Sequence, residues 1–399
     1  MTMAAFAPIP RDTHWGAVSV VVGSGIVTAI QIGKTAIATP MLQTDLGLDL
    51  TAAGWLTGIC AVLGLVGGIP AGTLVARAGD RRILILGLGS IVLGTSIGAT
   101  APGYSVLLAS RVLEGFGFLL VTVAGPAILN RLVKVGQRDI AIALWSCFMP
   151  AGMALVMLFG PLFSDWRTLW GSNAVLVAAA IVTGWAVIPA DPARTSASWR
   201  RTISDAARVL TSREPVLLAV CFALYSLMFF ALFSFLPVLL MERMEIPHDA
   251  AGLLSALATG ANIIGNVGAG YVLGRSARRS VLLAGAYLIM GLAGIGIFLP
   301  IAGNTPTFLF CLLFSGVGGL IPATLISSAP LLAPSAALAP VVIGLVMQGS
   351  NLGQVIGPVA FGGVIGTYGW TAAAAIVVIA AMIAAVVAIV ISFYGGPNR

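Results

Sequence analysis

Twelve separate runs of mainly apolar residues run through this chain, and each is long enough to cross a bilayer, for which a helix needs about 20 residues. They lie near 16–42, 52–76, 82–101, 104–130, 139–163, 168–188, 215–240, 249–274, 280–301, 306–329, 339–366 and 369–394. A soluble core has no room for so many. Charged residues are only 8% of the 399, against roughly 25% in a soluble domain, so the chain cannot cover itself for water. In hydrocarbon every backbone polar group must be satisfied internally, which a helix does within its own segment. The fold class that follows is an all-α polytopic membrane protein with twelve transmembrane helices. The N-terminal stretch MTMAAFAPIPRDTHW lacks the charged-then-apolar run and small-residue cleavage site of a removable signal. Cys60, Cys147, Cys221 and Cys311 all fall inside apolar runs, with neither metal-ligand spacing nor a loop disulfide framework.

The loops explain the net charge of +7. With the N-terminus taken as cytoplasmic, sixteen of the 20 Lys and Arg lie in loops on that side and only Arg167 and Arg243 lie opposite. Such a bias places both termini in the cytoplasm, in a cytoplasmic (inner) membrane protein. The basicity thus reports topology and calls for no nucleic-acid partner. His14 and His248 stand at a terminus and in an outer loop.

A polar, basic segment over 190–214, containing Pro192, splits the spans into six and six. The reading is an N-terminal bundle over 1–189, a cytoplasmic linker, and a C-terminal bundle over 215–399. The halves echo each other. AGTLVARAGDRR from Ala71 is matched by AGYVLGRSARRS from Ala269, Gly160-Pro161 by Gly357-Pro358, and Glu114-Gly115-Phe116-Gly117 by Ser315-Gly316-Val317-Gly318. Two six-helix repeats around a midplane site are a plan of secondary transporters.

Three motifs carry a resemblance that extends over nearly the whole chain. Gly72-Thr-Leu-Val-Ala-Arg77-Ala-Gly79-Asp80-Arg81-Arg82 follows span two, Arg111-Val-Leu-Glu114-Gly115-Phe-Gly117 lies in span four, and Gly353-Gln-Val-Ile-Gly357-Pro358 lies in span eleven. The first resembles the G-x-L-a-D-R-x-G-R-R-R loop of the major facilitator superfamily, the second its R-x-x-q-G-x-G signature, and the third the Gly-Pro motif that its antiporters carry in span five. The resemblance implies a conformational role for Gly72, Arg77, Asp80, Arg81, Gly357 and Pro358. Ala76 stands where the loop motif has its Asp and Asp80 where it has an Arg. The lock of the outward-facing state is therefore expected to be made differently here.

Inside the spans only Lys34, Arg111 and Glu114 are charged, all in the first half. A charge at that depth is expensive and marks a functional site by default. Lys34 and Arg111 fall at similar depths at 1.5 Å per residue. Ser24, Thr28, Gln31, Thr35 and Thr39 form one polar stripe on span one. Spans seven, eight and eleven add Tyr225, Asn262 and Asn351. At this level Lys34 reads either as a cavity cation or as a residue snorkelling to the outer headgroups, and Arg111 and Glu114 either neutralise one another or share the site.

The function expected is alternating-access transport of a small solute, anionic or carboxylate-bearing. Lys34 and Arg111 would hold it, and Gln31, Thr28, Thr35, Tyr225, Asn262 and Asn351 would orient it. Glu114 would carry a coupling proton, in a symporter or antiporter. The alternative is a proton-driven exporter of amphipathic drugs or metabolites, suggested by the Gly-Pro motif and the Phe- and Met-rich second half. No enzyme signature, cofactor or metal site is expected, and the partners are a small-molecule solute, the lipid bilayer and protons. A monomer is what the resemblance implies.

Overall fold

The computed structural model describes residues 12–134, 137–190, 199–273, 278–301, 303–335 and 338–394, and twelve helical segments in it are long and apolar enough to span a membrane. Spans one to four are single helices: α1 (Trp15–Leu46), α2 (Leu50–Ala78), α3 (Asp80–Ala99) and α4 (Tyr104–Leu132). Span five divides into α5 (Arg138–Ser146) and α6 (Phe148–Phe159), closed by a 3₁₀ turn over Gly160–Leu162, and span six is α7 (Trp166–Val187). The segment between the halves holds a short helix, α8 (Trp199–Leu210); Pro192 lies outside the described residues. Span seven divides into α9 (Arg213–Phe233) and α10 (Leu236–Met244), followed by α11 (His248–Leu273) and α12 (Arg279–Phe298). Span ten divides into α13 (Asn304–Gly318) and α14 (Leu320–Ser328), and α15 (Ala339–Tyr368) and α16 (Trp370–Tyr394) complete the chain.

The three divided spans have one cause. Proline has no N–H to give the carbonyl four residues back, and its ring crowds that carbonyl. Counting four residues back from Pro150, Pro237 and Pro322 gives Ser146, Phe233 and Gly318, the last residues of α5, α9 and α13. Pro40, Pro70, Pro126 and Pro358 are instead accommodated inside unbroken helices.

Twelve crossings bring Trp15 at the start of α1 and Tyr394 at the end of α16 to one face, here the termini face; the other is the far face. The repeat is visible in the packing. A side chain at Gly115 would run into the Cys60 backbone on α2, and Gly316 sits correspondingly against Ala261 on α11. Gly117 backs onto Gly87 and Ile91 of α3, and Gly318 onto Met290 of α12. Around the bundle, large apolar side chains such as Leu162, Ile264 and Val175 point outward into what a membrane would fill.

The halves meet mainly through α2 and α15. Leu50 faces Gly362 near the far face, and then Gly54 meets Pro358, Gly58 meets Val355, Gly64 meets Asn351 and Gly68 meets Gln348. On its other side α15 lays Gly349, Gly353 and Gly357 against the α9 backbone at Ala219, Ala223 and Leu227. Such small-residue stripes let helix backbones approach closely. Further joins sit at the far face: Gly252 of α11 packs on Met157 and Pro161, and His248 Nε2 donates to the Ile37 carbonyl at 2.8 Å. Residues 28–39 of α1 and 228–240 of α9–α10 are buried without exception, whereas Ser19 and Val220, nearer the termini face, are exposed. The far face is closed.

Asp80 and Arg81 act within the first half. Asp80, in the first turn of α3, takes two hydrogen bonds from Arg131 in the last turn of α4, at 2.8 and 2.7 Å, and each charge suits its helix end. Arg81 lies over the Trp185 ring, 4.6 Å from its centroid, and donates to the Trp185 carbonyl. These contacts knit α3, α4 and α7 together. Gly72 and Arg77 lie in the last turns of α2, and the Arg77 side chain is outside what the structure describes. The two basic residues of the far face also have local partners: Arg167 pairs with Asp45 at 2.6 Å, and Arg243 donates to the carbonyls of Ile297 and Leu299 at the end of α12.

Candidate functional site

The three intramembrane charges form one cluster inside the first half. Glu114 gives one carboxylate oxygen to Lys34, at 3.0 Å, and the other to Arg111. All three side chains are wholly buried. Glycines on α3 make the space. A Cβ at Gly94 would lie 2.9 Å from Glu114 Cγ, and one at Gly98 would lie 2.7 Å from the Trp170 ring. With hydrogen there instead, α4 and α7 close on α3 and trap the charges between them.

The two cations are held differently. Lys34 Nζ donates to Gln31 Oε1 at 2.6 Å and to Thr95 Oγ1 at 3.3 Å as well as to Glu114. The Trp170 ring lies 4.6 Å away and adds a cation–π contact. Gln31 is itself fixed, giving its amide N–H to the Val27 carbonyl at 3.2 Å and accepting from Thr95 at 3.1 Å. Three oxygens use the three donors of an ammonium, so Lys34 is saturated. Arg111 is not. Its Nε donates to the Leu56 carbonyl at 2.9 Å and its Nη1 to Glu114, but its Nη2 is buried without a partner. Two cations and one anion leave the cluster at net +1.

Sequence reading expected Lys34 to seek a counter-charge at the cavity. Glu114 supplies one within the bundle, and the Lys34 ammonium looks toward α3 and α7 rather than the second half. Thr95 and Trp170, both missed in the sequence, complete its seat; neither residue type stands out in a membrane helix. Thr28 returns its hydroxyl to the Ser24 carbonyl at 2.7 Å. Thr35 is buried with its hydroxyl unpartnered. Neither touches the charges.

The second half brings Tyr225 and Asn262 together. The Asn262 amide nitrogen donates to Tyr225 Oη at 3.1 Å and to the Ser315 carbonyl at 3.0 Å. Asn266 donates to Asn262 Oδ1 at 2.8 Å. Tyr225 belongs to a ring series on α9 with Phe222, Phe229 and Phe233, at successive centroid distances of 6.0, 5.7 and 4.5 Å. Asn351 is elsewhere, with its amide against Gly64 between the halves. Gly357 and Pro358 sit in the α9 and α2 contacts of α15.

Between the two clusters lies an apolar seam. Ile32, Ala36, Cys60, Phe118, Met153 and Met157 of the first half are continuous with the core of the second. Cys60 links this seam to the charged cluster, since its thiol donates to the Arg111 carbonyl at 3.3 Å.

The family model described as Major Facilitator Superfamily matches residues 21–339 and again 246–398. The chain belongs to the major facilitator superfamily. It is a multi-pass membrane protein of a transporter family, and its similar proteins transport different things. It is 26% identical over 251 residues to the 3-(3-hydroxy-phenyl)propionate transporter of Escherichia coli, covering 59% of each chain. Its identity to the efflux pump terG of Aspergillus terreus is 30% over 138 residues, 34% of this chain and 26% of the relative. With the galactose-proton symporter of Escherichia coli it shares 26% over 190 residues, 47% of this chain and 40% of the other. These matches span between about a quarter and six tenths of the relatives' own lengths. Superfamily membership accounts for the two-half plan; the chemistry has to come from the clusters.

Proposed function

We propose that this chain moves an amphipathic carboxylate across the cytoplasmic membrane together with a proton, by alternating access. The observation that carries the reading is the unpartnered, fully buried Nη2 of Arg111 in a cluster of net charge +1. A buried charge without its complement is destabilising, and the free Nη2 donors of a guanidinium suit a carboxylate oxygen. The apolar seam of Phe118, Met153 and Met157 would take the solute's hydrocarbon body, since Met side chains adapt to irregular shapes. Lys34, with its donors spent, is the anchor, and Arg111 is the binding cation.

Coupling is assigned to Glu114, the acid of the cluster. When the solute's carboxylate takes Arg111 from Glu114, the displaced Glu114 accepts a proton, and the cluster remains at +1. Anion and proton enter and leave together. The charge bias of the loops favours a cytoplasmic termini face, so the closed far face is the outer one.

The test is uptake into proteoliposomes of benzoate and longer aryl carboxylates, with and without a pH gradient. We expect gradient-driven uptake that Arg111→Gln abolishes and that Glu114→Gln uncouples from protons. Unchanged carboxylate binding by Arg111→Gln would refute the assignment. Export of amphipathic drugs is the second reading, favoured by the Met and Phe lining of the seam. A cationic aromatic drug in the same assay decides it: export against a proton gradient, with no carboxylate uptake, would establish that reading instead.

A further inference from the structure

We propose that Tyr225, Asn266 and Ser315, organised by Asn262, form a second recognition point that takes an uncharged hydroxyl on the body of the solute. The inference rests on the transport reading above and deepens it by naming a further feature of the substrate. Asn262 is fully committed: its amide nitrogen gives to Tyr225 Oη and the Ser315 carbonyl, and its Oδ1 receives from Asn266. Its neighbours are not. Tyr225 Oη serves as an acceptor there, which leaves its own proton to give. Ser315 Oγ and Asn266 Oδ1 are buried without partners. The three residues are 5%, 0% and 9% exposed, and buried polar groups are rarely left unsatisfied. The bonds that Asn262 already makes tie α9, α11 and α13 together.

What remains is two hydroxyl donors and one amide acceptor, the complement of a group that both donates and accepts. A hydroxyl does so, whereas a carboxylate, accepting only, would meet the Asn266 oxygen unfavourably. The position has a counterpart. Ser315 stands in the repeat where Glu114 stands in the first half, and the glycines that follow each pack on equivalent helices. One half therefore carries charge at this site and the other carries neutral hydrogen-bonding capacity, with the ring series of α9 beside it.

The test measures dissociation constants of the full chain in detergent for two matched pairs: benzoate against 3-hydroxybenzoate, and benzamide against 3-hydroxybenzamide. We expect wild type to prefer the hydroxylated member by about tenfold, the worth of one well-made hydrogen bond. Tyr225→Phe and Ser315→Ala, which keep the packing shape, should bring that ratio toward one. A ratio near one in wild type, or a preference that survives in both variants, overturns the inference. Failure of the carboxylate reading has a different signature, because 3-hydroxybenzoate would then bind no better than 3-hydroxybenzamide while the hydroxyl preference persisted.

Discussion

Replacing Glu114 by Gln should destabilise this protein more than replacing Lys34 by Gln, although the two residues share one contact. The asymmetry comes from counting charge. The native cluster stands at +1; Lys34→Gln takes it to zero and leaves the Arg111–Glu114 pair intact, whereas Glu114→Gln takes it to +2 with both cations fully buried. At the 3.0 Å between Lys34 and Glu114, Coulomb attraction is about 5 kcal/mol at an effective dielectric constant of about 20. Stranding a buried partner typically costs about 3–5 kcal/mol, and here two partners are stranded. Lys34→Gln forfeits hydrogen bonds to Gln31, Thr95 and Glu114 but creates no stranded cation, so about 1–3 kcal/mol is expected. The double substitution returns the cluster to +1. It should be more stable than Glu114→Gln alone, a non-additivity of the kind double-mutant cycles detect between contacting groups. Unfolding rates in detergent, followed by tryptophan fluorescence, give the order directly and avoid assuming reversibility. If Glu114→Gln unfolds no faster than Lys34→Gln, or the double substitution is the least stable of the three, the charge accounting is refuted.

Two further substitutions test how the far face is held. A side chain at Gly54 would collide with the Pro358 carbonyl across the halves, so Gly54→Ala should hinder closure. A cysteine introduced at Ala36, buried in the closed structure, should then react severalfold faster with a membrane-impermeant maleimide than the same cysteine beside native Gly54. His248→Ala removes the bond to the Ile37 carbonyl. One hydrogen bond is worth about 0.5–1.5 kcal/mol, and labelling at position 36 should rise about two- to tenfold. An unchanged rate would mean that packing alone holds that face.

The spans were legible because hydropathy needs no partner: each run declares itself. The division of three of them was not, although Pro150, Pro237 and Pro322 were in plain view. A break inside an apolar run leaves hydropathy unaltered, and the same residue type passes unbroken at Pro40 and Pro358. For the site, Lys34, Arg111 and Glu114 could be singled out because charge in hydrocarbon is costly wherever it points. Where it points is a property of helix faces brought together in three dimensions. Lys34 lies beside a polar stripe that suggested a cavity wall, yet its seat is built by Thr95 and Trp170 from helices that sequence alone does not pair with α1. His248 read as a loop residue, but it opens α11 and reaches across the halves.

The α2–α15 contact has a consequence for the conformational cycle. Glycines at 54, 58, 64 and 68 present α15 with a surface lacking knobs, so parting the halves there requires few side chains to leave their wells. On the opposite side of α15, Gly349, Gly353 and Gly357 let it seat directly on the α9 main chain. One face of the helix acts as a bearing and the other as a weld. A bulky residue on the α2 side would then act chiefly on how readily the far face closes, and one on the α9 side chiefly on whether the second half folds at all.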